Sequence, residues 1–243
     1  MMMNKYNINI LFLYILYMDN IYLFVLSPPY QGSTILYKLL STSPNISTFI
    51  GHSKNWKGEG QIFLKRNGMQ EFFKNRWNKN INLNMQKIKK IFDKHWDQSK
   101  LIKCEKSPPT ICRAKMFEDY FKKFGKVYFV CLIRDPYCSR WHEDADWITC
   151  ANYIKNNIEE LENKILITYE DLCDKTEEVI EKLIKFIPEL KSLDKNVSHI
   201  DNMKGVRDLP ITNMNKQKGL SQKKDILKCN KEIVEYFGYQ IIE

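Results

Sequence analysis

The residues whose types and spacing suit chemistry gather in four short segments. The first is Ser27-Pro28-Pro29-Tyr30-Gln31-Gly32-Ser33-Thr34. A glycine lets the backbone turn there, and successive N–H groups with the Ser and Thr hydroxyls form a cradle for an anion at a helix N-terminus. The plainer reading of the same residues is an N-cap turn using Ser33 or Thr34. No GKS or GKT follows the glycine turn, which disfavours an ATP- or GTP-hydrolysing P-loop enzyme. The other segments are Glu105-Lys106-Ser107-Pro108-Pro109, Arg134-Asp135-Pro136-Tyr137-Cys138-Ser139-Arg140 and Tyr169-Glu170-Asp171-Leu172. A zinc site lacks its spacing: the seven cysteines form no CxxC pair, and the only histidines are His52, His95, His142 and His199.

Each segment follows an apolar run. Ile21–Leu26 (IYLFVL) is continuously apolar and ends at a Pro- and Gly-marked turn, as a buried parallel strand does on entering a loop. Leu101–Cys104, Lys126–Ile133 and Lys164–Thr168 read as three further strands. Helices are predicted over 34–40, 61–77, 84–96, 111–124, 152–161, 176–186 and 231–236, with a basic, loop-rich stretch over 192–224. Strands alternate with helices, and no Asn-Gly signal joins two strands as a hairpin. The expectation is an α/β fold, a central parallel sheet flanked by helices on both faces. In such sheets ligands bind beyond the carboxyl ends of the strands, so all four segments converge on one site.

Composition agrees with a folded chain. Of 243 residues, 44% are apolar and 13% aromatic, which excludes a disordered chain, a collagen-like repeat and a disulfide miniprotein. The net charge of +9 comes from 38 Lys and Arg against 29 acids, and only six of the 38 are Arg. Lysine is a hydrated point charge and Arg the fork that reads base edges, so the excess suits an anionic ligand or solubility better than DNA reading. The Lys-rich aromatic stretch 71–92 has helical spacing; its aromatics are expected to pack inward with the lysines facing water, with no nucleic-acid partner. The apolar run Ile8–Tyr17 is too short to span a bilayer and is expected to be a structural segment. A reduced, cytoplasmic setting is expected over a Golgi or membrane-anchored one.

Taken in order, the segments resemble the PAPS-dependent sulfotransferases, where PAPS is 3′-phosphoadenosine 5′-phosphosulfate and PAP its desulfated product. IYLFVLSPPYQGSTILYKLLSTSPNIS is similar to the family's 5′-phosphosulfate loop, and VYFVCLIRDPYCSRW to its 3′-phosphate motif. EKSP resembles the Lys-containing segment after the second strand, and ILITYEDL the tyrosine-containing segment after a late strand. The likeness runs from residue 21 to about 187 and implies a P-loop-like sulfotransferase architecture. One domain is expected over 1–243: a nucleotide-binding core over 20–190, a helical insertion over 60–100, and a basic loop with a C-terminal helix over 191–243.

The resemblance also implies roles. Gly32, Ser33 and Thr34, flanked by Tyr30 and Gln31, would hold the 5′-phosphosulfate through backbone N–H groups. Arg134 would bind the 3′-phosphate as a fork. The family's Ser eight residues later is His142 here, and Ser139 is the nearest hydroxyl. Tyr169 would pack near adenine, and Lys218 in the basic loop would cover phosphate. The family usually has Lys or Arg where Tyr30 stands, so another cation must meet the departing phosphate. Lys106 is the first candidate, with Lys38, Lys54 and Lys57 behind it. The base would be Glu59, set between two glycines, or His52 in the same loop. The implied reaction is sulfuryl transfer from PAPS, without a metal, to a hydroxyl of a carbohydrate, peptide tyrosine, lipid or small metabolite, or to an amine. The alternatives are a PAPS- or PAP-binding protein with little turnover, motivated by Tyr30, and a nucleotide or small-molecule kinase.

Overall fold

In the computed structural model, residues 20–50, 58–74, 76–141, 146–201, 205–208, 211–216 and 220–242 are described. Five parallel strands form one sheet: β1 (Ile21–Leu26), β2 (Ile46–Ser47), β3 (Ile102–Lys106), β4 (Lys126–Ile133) and β5 (Lys164–Thr168), in the order β2-β3-β1-β4-β5. β1 lies at the centre, with Val25 opposite Lys106 of β3 and Leu26 opposite Cys131 of β4. All six β1 residues are buried, because a central parallel strand is covered on both faces. Side chains alternate between the faces. Tyr22, Phe24 and Leu26 join one core with Phe117, Phe121 and Phe129, while Ile21, Leu23 and Val25 join another with Leu36, Leu40 and Leu183.

The helices are α1 (Ser33–Ser41), α2 (Gly60–Arg66), α3 (Glu71–Lys74), α4 (Met85–Asp93), α5 (Ala114–Phe121), α6 (Trp147–Glu160), α7 (Tyr169–Asp174), α8 (Thr176–Phe186), α9 (Leu220–Cys229) and α10 (Lys231–Tyr236). Several differ from expectation for local reasons. The helix predicted over 61–77 is cut at Asn67-Gly68 into α2 and α3. The one predicted over 111–124 opens as a 3₁₀ turn, Pro108–Arg113, because two prolines lack N–H donors. α6 starts five residues early, where Asp146 caps it by accepting the Thr149 N–H at 2.7 Å. The absence of a hairpin is corrected: β6 (Ser198–Asp201) pairs antiparallel with β7 (Gly205–Asp208), two polar four-residue strands that carry no periodic signal. No helix among the described residues is long and apolar enough to cross a membrane. All seven cysteines are free thiols. The apolar run 8–17 lies outside the described residues.

Candidate active site

The strand order fixes where a ligand site belongs. From β1 the chain moves outward to β2 and returns through β3. It then crosses to β4 and continues to β5 on the opposite side. The connections leaving β1 and β4 therefore run in opposite directions, and a crevice opens between their carboxyl ends. The segments at that crevice are the Gly32 loop after Leu26 and the Arg134 loop after Ile133.

Gly32 caps α1 with φ 92°, in the left-handed region, and no side chain caps the helix. The Ser33 and Thr34 N-cap reading is thus not realised, and the first-turn N–H groups face out of the helix end. A Cβ at position 32 would lie 2.3 Å from Cδ2 of Tyr169, so sterics as well as φ demand glycine. Tyr30 is held at φ 62°, a costly conformation for a tyrosine, and its side chain is 47% exposed. Gln31 is buried, and its Oε1 lies 3.2 Å from Ser139 Oγ.

Lys106, the last residue of β3, is 1% exposed, unlike an ordinary surface lysine. Its Nζ lies 3.4 Å from Thr34 Oγ1 and 3.2 Å from Glu59 Oε1. Glu59 is the N-cap residue of α2, and its Oε2 also accepts from Gln61 Nε2. The neighbouring Glu105 is fully buried. Its carboxyl accepts from Ser107 Oγ, from the Gly60 N–H at 3.2 Å and from Thr110 Oγ1 at 3.4 Å. Ser107 Oγ in turn accepts the Gln61 N–H at 2.9 Å. Glu105 and Ser107 therefore anchor the first turn of α2, and with it Glu59. A Cβ on Gly60 would stand 2.8 Å from Glu105 Oε1, so the second glycine lets helix and carboxylate meet. Burial pushes the Glu105 carboxyl up to about 7, against the hydrogen bond from Ser107 and the charge of Lys106.

Arg134 stacks its guanidinium 4.1 Å from the Tyr169 ring centroid and donates from Nε to Asn215 Oδ1 at 2.6 Å. Among the described residues its Nη groups have no hydrogen-bond partner. Tyr169 is buried as the wall between the Gly32 loop and Arg134. Its hydroxyl accepts the Met214 N–H at 3.1 Å, and burial pushes its pKa up to about 12. Glu170 accepts from Asn215 Nδ2 and from the Tyr239 hydroxyl, which ties the 211–216 segment and the C-terminal region to this corner.

Ser139 is fully buried, and its hydroxyl donates to the Asp135 carbonyl of its own loop at 2.6 Å. The loop it belongs to is held by Lys223 of α9, whose Nζ donates to the carbonyls of Pro136, Tyr137 and Ser139 at 3.1, 3.2 and 2.6 Å. Asn215, Lys223 and Glu105 carried no sequence signal, because only tertiary packing brings them here. Arg140 also went unassigned: its guanidinium lies 5.1 Å from the Tyr30 ring centroid. Its rarity was a usable signal, since Arg is scarce in this lysine-rich chain. Lys38 lies on α1, and burial lowers its pKa. His52, His142 and Lys218 lie outside the described residues, as do Lys54 and Lys57.

No family model matches the sequence, and no curated protein matches it. Solved structures do match. The sulfotransferase domain from the Synechococcus PCC 7002 olefin synthase aligns over 93% of this chain and 97% of its own, with 16% identity and a TM-score of 0.54. The sulfotransferase from Alicyclobacillus acidocaldarius aligns over 88% and 94%, with 14% identity and a TM-score of 0.51. The five-stranded parallel sheet of this chain, with its flanking helices, has the fold of the sulfotransferases.

Proposed function

We propose that this chain transfers a sulfuryl group from PAPS to an acceptor hydroxyl, or to an amine. One observation carries the reading: Lys106 Nζ is buried within 3.4 Å of Thr34 Oγ1 and 3.2 Å of Glu59 Oε1. A cation beside an uncapped helix N-terminus meets negative charge, and the carboxylate paired with it takes a proton. The residues present fit the co-substrate. The helix end at Gly32 has no side-chain cap, and the Nη groups of Arg134 have no partner among the described residues.

In the reaction, the acceptor oxygen forms a bond to sulfur as the bond from sulfur to the 5′-phosphate oxygen breaks. The electron pair leaves with the phosphate, and the acceptor proton goes to Glu59. The N–H groups of the Gly32 loop and the Lys106 ammonium then face the growing phosphate charge. Fixed dipoles and cations of this kind need no reorganisation as charge develops. Arg134 reads the 3′-phosphate, and Tyr169 holds the guanidinium flat. Carbohydrate, peptide tyrosine, lipid and small-metabolite hydroxyls are the acceptor classes for a screen.

Thermal shift with PAP and with 5′-AMP, followed by an acceptor screen with radiolabelled PAPS, tests the reading. A ligand at about 100 times its dissociation constant adds roughly 2.7 kcal/mol to a protein it binds only when folded. For a chain of this size that is a rise of about 5–10 °C. PAP is expected to give it and 5′-AMP to fall well short, with Arg134→Ala removing most of the difference. Equal shifts for the two nucleotides would sink the 3′-phosphate assignment. The second reading, a PAPS-binding protein with little turnover, is favoured by Tyr30, which leaves the loop 27–34 without a cationic side chain. It predicts the PAP shift with no sulfated product.

A further inference from the structure

A loop that receives a phosphosulfate through N–H groups alone leaves much of the anion's charge unmatched, and the segment 27–34 contains no Lys or Arg. Lys106 reaches its edge, but its charge is already balanced by Glu59 at 3.2 Å. Arg134 is stacked on Tyr169 and tied to Asn215 at the other end of the crevice. A further cation belongs beside Tyr30.

Two successive residues of the Arg134 loop meet two successive residues of the Gly32 loop. Ser139 Oγ lies 3.2 Å from Gln31 Oε1, and the Arg140 guanidinium lies 5.1 Å from the Tyr30 ring centroid. The register of this contact is fixed from behind, since Lys223 Nζ holds the Ser139 carbonyl at 2.6 Å. Tyr30 presents its ring outward through the left-handed φ of 62°, a strained conformation of the type that persists at ligand sites. Arg140 is exposed, and among the described residues it has no ion pair and no hydrogen bond; its guanidinium lies over the Tyr30 ring. A guanidinium seated on an aromatic face keeps its N–H edge open for a phosphate or sulfate oxygen.

We propose that Arg140, seated on the Tyr30 ring, is a second cation of the 5′-phosphosulfate site beside Lys106, the tyrosine serving as its platform. The proposal rests on the sulfuryl-transfer reading. It assigns Arg140 to the 5′ end of the nucleotide and Arg134 to the 3′ end.

The test is equilibrium binding of PAP and of 3′-AMP, which lacks the 5′-phosphate, to wild type, Arg140→Ala, Arg140→Lys and Tyr30→Ala. Arg140→Ala is expected to weaken PAP about 10-fold or more, the loss of one hydrogen bond to a charged group, and to leave 3′-AMP unchanged. Arg140→Lys falls between, since a point charge replaces a fork. Tyr30→Ala weakens PAP in the same selective way by removing the seat. The melting temperature without nucleotide should stay at the wild-type value in Arg140→Ala, as expected for an exposed side chain. If wild type binds PAP and Arg140→Ala binds it equally well, Arg140 has no such role and the sulfuryl-transfer reading stands. Equal losses for PAP and 3′-AMP would mean a general structural effect and would also overturn the proposal. If wild type binds no PAP, both fall together.

Discussion

Replacing Glu59 and Lys106 singly and together separates their structural work from their chemical work. The Lys106 side chain is 2% exposed and that of Glu59 14%, with 3.2 Å between Nζ and Oε1. At an effective dielectric constant near 20 the gross attraction is about 5 kcal/mol, most of it offset by desolvation of the two ions. Breaking such a pair from one side costs about 3–5 kcal/mol, because a buried charge loses its partner. Glu59→Gln leaves the ammonium without its carboxylate, and its melting temperature should fall by roughly 6–20 °C. Lys106→Met should cost less, because Glu59 is the more exposed ion and keeps its contact with Gln61. The double variant carries neither charge and should recover to within about 1 kcal/mol of wild type. Turnover should behave otherwise: about 10²-fold or more down in each single variant, and no better in the double. Urea unfolding at neutral pH and single-turnover kinetics with PAPS read the two quantities in the same preparations. Strictly additive stability losses would refute the buried pair, and turnover that returns with stability would refute the chemical role.

Gly32→Ala sets a Cβ 2.3 Å from Tyr169 on a backbone at φ 92°, so it should abolish PAP binding while the sheet still forms, read by calorimetry and circular dichroism. Tyr30→Gly relieves the φ of 62° and should raise the melting temperature of the nucleotide-free protein by a degree or more, while PAP affinity falls. A variant that loses both stability and affinity would contradict that view. The Glu105 carboxyl is raised to about 7 from an unfolded value of roughly 4.3, so the native state holds the extra proton between these limits. Its contribution to stability falls as pH rises through that window and is flat above it. Glu105→Gln should remove this decline, and urea midpoints at pH 5 and pH 8 that shift in parallel with wild type would oppose it.

What the sequence made legible follows from where the signal is local. Lys126–Ile133, Lys164–Thr168, Thr176–Phe186 and Lys231–Tyr236 form as expected, because unbroken apolar runs and helical periodicity write buried strands and helices directly. Gly32 and Arg134 could be singled out because they lie in the loops that follow two apolar runs, which form the adjacent strands β1 and β4. β2 has two residues and the β6–β7 strands are polar, so neither has a period to read. Lys106 has a surface residue's identity and a core residue's burial, which only β3 pairing reveals. Asn215 and Lys223 meet their partners across long separations in the chain, as Glu105 meets Gly60. Ser139 was singled out as the hydroxyl nearest the family's Ser position, and its burial and its bond to the Asp135 carbonyl appear only in the folded chain.

The corner around Arg134 is completed by residues far downstream. Asn215 orients the guanidinium, Lys223 gathers three carbonyls of its loop, Tyr239 donates to Glu170, and the Ile242 N–H donates to the Tyr137 hydroxyl at 3.0 Å. On the ribosome the five strands all emerge before any of these braces. A nascent chain arrested ahead of residue 211 would present the Gly32 loop and Arg134 with no buttress behind them. Translation at about 5–20 residues per second then leaves these two loops waiting for a second or more, their backbone carbonyls solvated and accessible to proteases. A C-terminal fusion whose linker pulls on residues 239–242 should reproduce part of that state in the finished protein, loosening nucleotide binding without touching a residue of the crevice.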